Sequence, residues 1–144
     1  MIVYPYLKDD FLKLCASQEF SLESKKRILK DVLRGLAALH TKDFVHTGED
    51  VGPEISPDIN IVTDIKPNNI LLDWEPSHDR DIVVKRVQIA DVEDACYVPP
   101  GRTILGTQVG NWMWRSPEAH AQGPVNTPSD MFSFGLVVSL WESA

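Results

Sequence analysis

A chain of 144 residues, 43% hydrophobic and 24% charged, is long enough for one sizeable core and has the composition of a soluble globular domain. Its net charge of −7 argues against a nucleic-acid-binding surface. Cys15 and Cys96 stand far apart without paired spacing, so neither a disulfide framework nor a zinc site is indicated, and a reducing compartment, cytoplasmic or nuclear, is the expected home. Residues 1–5 lack a basic n-region and the apolar run Leu136-Val137-Val138 breaks at Ser139, so neither a signal peptide nor a membrane span is read.

In chain order, residues 2–6 read as a short strand ending at Pro5, and residues 9–16 as one or two helical turns presenting Phe11, Leu12, Leu14 and Cys15. A clear helix follows. Ser21 is its N-cap, Glu23 lies in the first turn, and Ile28, Val32, Leu36 and Leu39 recur at helical spacing to about His40. Its other face carries Lys25, Lys26, Arg27, Lys30 and Arg34, the pattern of a solvated polar face. After the short apolar Phe44-Val45, residues 70–72 and 83–90 are strand candidates separated by a polar segment, and should pair as a hairpin. Residues 91–118, with Pro99, Pro100, Gly101, Gly106 and Gly110, read as an irregular ordered loop. Residues 129–141 are apolar nearly all round, which predicts a helix buried at the centre of a domain.

The segment Asp64-Ile65-Lys66-Pro67-Asn68-Asn69 spaces an acid, a lysine and an asparagine as phosphoryl transfer requires: the acid accepts a hydroxyl proton and an Asn five residues on holds Mg²⁺. A turn at a helix start accounts equally well for this motif taken alone. Further motifs follow in a matching order. Val87-Gln88-Ile89-Ala90-Asp91, Trp114-Arg115-Ser116-Pro117-Glu118 and Ser129-Asp130-Met131-Phe132-Ser133-Phe134-Gly135 come next, and Val3-Tyr4-Pro5-Tyr6-Leu7-Lys8 precedes. Together the set resembles the C-terminal lobe of a eukaryotic Ser/Thr protein kinase, most closely fungal kinase-like proteins, over nearly the whole chain.

The resemblance implies an α+β, mainly helical lobe fragment running from hinge to central helix, with short β-hairpins at the catalytic loop. It implies ATP and Mg²⁺ as cofactors and a protein as substrate. Tyr4 and Tyr6 fall in the hinge that binds adenine through its backbone. Asp64 would be the catalytic acid–base, Lys66 the phosphate-stabilising cation, and Asn69 and Asp91 the metal ligands. Asp130 would brace the catalytic-loop backbone.

Several departures accompany the match. The glycine-rich phosphate loop, the strand lysine and its glutamate partner are not in this sequence, so the chain alone is expected to be nearly inactive. A pseudokinase, a protein-interaction module, or an incomplete gene model without independent function are the rival readings. Without further helices, Val137, Leu140 and Trp141 are expected to form an exposed apolar patch, and Glu118 lacks its usual arginine. Asp91-Val92-Glu93 keeps the ligand of Asp-Phe-Gly and loses its phenylalanine and glycine, with Glu93 and Asp94 adding charge or capping a turn. Thr63 replaces the arginine before the catalytic acid, leaving Thr103 and Thr107 weak phosphosite candidates.

Residues 48–63 interrupt the motif between Phe44-Val45-His46-Thr47 and Asp64. Codons for Gly48-Glu49 and Thr63-Asp64 can supply splice signals, so the segment reads either as translated intron or as a solvent-extruded loop. A genuine loop is expected to separate His46 from Asp64. Neither the substrate nor the oligomeric state follows from the sequence.

Overall fold

The computed structural model describes residues 6–17, 21–46, 64–77, 81–92, 95–105 and 110–142. The expected strand at residues 2–6 lies outside them except for Tyr6, which is irregular and 86% exposed.

Strand β1 (Asp9–Asp10) leads directly into helix α1 (Phe11–Ser17), where Phe11 and Leu14 are buried, Cys15 half-buried and Leu12 exposed. Helix α2 (Leu22–His40) begins as expected: Ser21 Oγ accepts from Ser24 N at 3.1 Å. Its Ile28, Val32 and Leu36, four residues apart, face the core. Asp81 ties the start of β4 to this cap by accepting from Ser21 N at 3.0 Å and Ser24 Oγ at 3.3 Å. The Ser21 contacts hold the Asp81 carboxyl down to about 2.

The hairpin expected downstream of the acid–lysine–asparagine motif is present. Strand β3 (Ile70–Pro76) pairs antiparallel with β4 (Ile82–Ile89), from Ile70 opposite Ile89 to Pro76 opposite Ile82, with an irregularity between Asp73 and Trp74. It runs further than the apolar run at 70–72 implied, because Trp74 and Glu75 continue the ladder opposite Val84 and Val83. Strand β1 adds to the other edge of β3, giving the order β1-β3-β4. Helix α2 lies close against β4 at Gly35, where a Cβ would meet Ile89 Cδ1 at 3.0 Å and press on that side chain.

A second, two-stranded sheet joins β2 (Phe44–Val45) to β5 (Cys96–Tyr97), inside the stretch read as irregular. Two-residue strands carry no periodicity, so sequence pattern alone cannot find them. Helices α3 (Pro117–His120) and α4 (Thr127–Glu142) complete the described chain.

One apolar cluster combines Phe11 and Leu14 of α1, Ile28, Val32 and Leu36 of α2, Ile70, Leu72 and Ile82 of the sheet, and Phe134, Val137 and Trp141 of α4. Phe11 and Trp141 meet edge to face, centroids 4.6 Å apart at 77°. Val137 and Trp141 are therefore buried, contrary to the expected exposed patch, because α1 and α2 already cover that side of α4. Nor is α4 enclosed all round: Met131 and Phe132 are 44% and 39% exposed. A smaller cluster of Val45, Cys96, Val98, Ile104, Ala119 and Val125 supports the 91–126 region. Helix and sheet thus mix in an α+β arrangement. Among the described residues no helix is long and apolar enough to cross a membrane.

Phe11 joins α1 to α4 with no exposure. Phe11→Ala should cost about 3–5 kcal/mol, from lost transfer energy plus a cavity. A urea denaturation midpoint unchanged from wild type would contradict this packing.

Candidate functional site

The motif at Asp64 folds into a short extended stretch, a single 3₁₀ turn (Pro67–Asn69) and then β3. Pro67 suits the first position of that turn, since its missing N–H has no partner to lose there. Asn69 Nδ2 reaches back to donate to Asp64 O at 3.0 Å, so the five-residue interval closes on itself. The Lys66 ammonium bonds Asp64 Oδ2. The other oxygen, Asp64 Oδ1, is buried and has no hydrogen-bond partner among the described residues.

Two further residues hold this loop. The imidazole of His46, fully buried, accepts from Asp64 N at Nδ1 (2.9 Å). Its proton therefore sits on Nε2, which donates to Ala90 O at 3.1 Å. Ala90 N in turn donates to Asn69 O at 2.8 Å, so the segment delivering Asp91 is stitched to the 64–69 loop from both sides. Asp91 itself is exposed and adopts a left-handed φ of 62°, a conformation that Asp tolerates better than most residues.

Asp130, with no exposure, anchors the arrangement from α4. Its Oδ2 accepts from His46 N at 3.2 Å and from His40 Nε2 at 2.7 Å. The expected bracing by Asp130 thus acts on the backbone at His46, while the His40 contact had no local signal in the sequence. Burial pushes the Asp130 carboxyl above its ordinary value, and the His40 and His46 hydrogen bonds oppose that shift without cancelling it.

A crevice beside Asp64 is bounded by Gly110, Asn111, Trp114, Arg115 and Ser133, and has no room for a water-sized sphere. The Arg115 guanidinium grips Gly110 O (Nε at 3.0 Å), and Ser133 Oγ donates to Trp114 O at 2.7 Å. Ser116, the N-cap of α3, shares a 2.5 Å hydroxyl contact with Ser129 of α4.

The structure brings Asp64, Lys66 and Asn69 together and places Asp91 next to Ala90, which is bonded to Asn69. Tyr4, Thr107, Glu93, Asp94 and the segment 48–63 lie outside the described residues; Tyr6 and Thr103 are exposed. His46 and Asp64, on either side of residues 47–63, share a hydrogen bond. Among the described residues no group of three or more His, Cys, Asp or Glu could hold a metal ion. Mg²⁺ needs no such cage, because it is bound through one or two carboxylates with phosphates and waters, and the oxygens of Asn69 and Asp91 are the hard donors it takes.

No protein-family model matches the chain. It is similar to the serine/threonine/tyrosine-protein kinase HT1 of Arabidopsis thaliana, 27% identical over 98% of this chain and 30% of that protein. The region is protein-kinase-like. It also resembles the G-type lectin S-receptor-like serine/threonine-protein kinase SD2-2 of Arabidopsis thaliana, 28% identical over 96% of this chain and 15% of that protein. A calcium and calcium/calmodulin-dependent serine/threonine-protein kinase of Pisum sativum is 24% identical over 89% of this chain and 20% of its own length. The kinase-like region therefore spans 15–30% of the length of these curated relatives.

Two outcomes follow. Asp130 has a folded pKa raised above its ordinary 3.8, so its contribution to stability is present below that value and is lost as pH rises through the folded pKa. The difference in melting temperature between wild type and Asp130→Asn should therefore fall as pH rises from about 4; a difference independent of pH would remove the buried charge from the account. Deleting residues 48–63 should leave the His46–Asp64 hydrogen bond in place and raise stability by about 1–2 kcal/mol through cheaper loop closure. Calorimetry checks this, and a deletion variant that fails to fold would contradict it.

Proposed function

We propose that this chain is the catalytic-loop lobe of a cytosolic or nuclear serine/threonine protein kinase, transferring the ATP γ-phosphate to a protein hydroxyl. The observation that carries the reading is the closed Asp64–Lys66–Asn69 constellation, in a region similar to serine/threonine kinases along most of its length. Asp64 Oδ2 bonds the Lys66 ammonium, and the Asp64 carboxylate takes or orients the proton of the substrate hydroxyl once the 110–115 segment over it has moved aside. Lys66, beside that carboxylate, neutralises charge on the transferring phosphoryl oxygens. The amide oxygen of Asn69 and the carboxylate of Asp91 would hold Mg²⁺, which would supply charge neutralisation at the phosphates. Adenine is assigned to the backbone at Tyr4 and Tyr6.

The tight crevice over Asp64 favours a second reading, a kinase-like module kept for binding rather than catalysis. One experiment separates the two. In a longer chain that also carries a glycine-rich nucleotide lobe, phosphotransfer to a protein substrate should fall about 10²-fold or more in Asp64→Asn, because general-base loss has that magnitude. Equal transfer by the two proteins, with equal melting temperatures, would remove Asp64 from its assigned role; no transfer by either would favour the binding module.

A further inference from the structure

We draw no further inference here: the strongest candidate, the exposed apolar pair Trp112 and Met113 between the crevice-lining Asn111 and Trp114, carries nothing because nothing in the structure shows what covers it.

Discussion

The carboxylate of Asp130 has no exposure, and one of its oxygens serves two donors on different elements, His40 at the end of α2 and the backbone of His46 after β2. Everything at the candidate site depends on that anchorage. With its backbone held by Asp130, His46 presents Nδ1 to Asp64 N and Nε2–H to Ala90 O. A single imidazole therefore sets the spacing between the loop that carries Asp64 and the segment that carries Asp91. Each hydrogen bond contributes only about 1 kcal/mol net, but leaving one of these buried groups unpaired costs about 1–3 kcal/mol. The network is consequently stiff: displacing any member orphans another.

That stiffness explains how an interruption between His46 and Asp64 is compatible with a closed site. The position of Asp64 is set by a side-chain contact from His46 and by the Asn69 amide, not by the covalent path between residues 46 and 64. Chain entropy makes long excursions cheap when their ends are already held, since each doubling of loop length adds only about 0.6 kcal/mol. On the other side of Asp64, the 110–116 segment is fixed by the Arg115 grip on Gly110 and by two serines of α4, Ser129 and Ser133. Helix α4 thus supports both walls of the crevice, through Asp130 on one side and its serines on the other.

What the sequence reveals follows from how local each interaction is. The periodic Ile28, Val32 and Leu36 announce α2, Ser21 announces its start, and Asp64-x-Lys66-Pro-x-Asn69 places acid, cation and amide within one turn. All of these lie within a few residues of one another. By contrast, His40 and Asp130 are 90 positions apart, and β2 meets β5 across more than a third of the chain as two-residue strands. The near-uniform apolarity of α4 was misleading for the same reason. Its exposed Met131 and Phe132 and its buried Trp141 differ in their surroundings and not in residue class, and only the packing of α1 and α2 distinguishes them.

Two carboxylates in this region each have one buried oxygen without a partner among the described residues, and their surroundings give them opposite roles. Asp64 keeps a little exposure, lines a crevice and has the Lys66 ammonium on its second oxygen, so a cation compensates that carboxylate. Asp130 is sealed in the core, faces a histidine and a backbone N–H, and is driven towards its neutral form by desolvation. An isolated buried charge costs several kcal/mol, which a lysine contact offsets and an N–H contact offsets only in part. The same side chain therefore bonds a cation at the edge of a crevice at position 64 and holds backbone in the core at position 130.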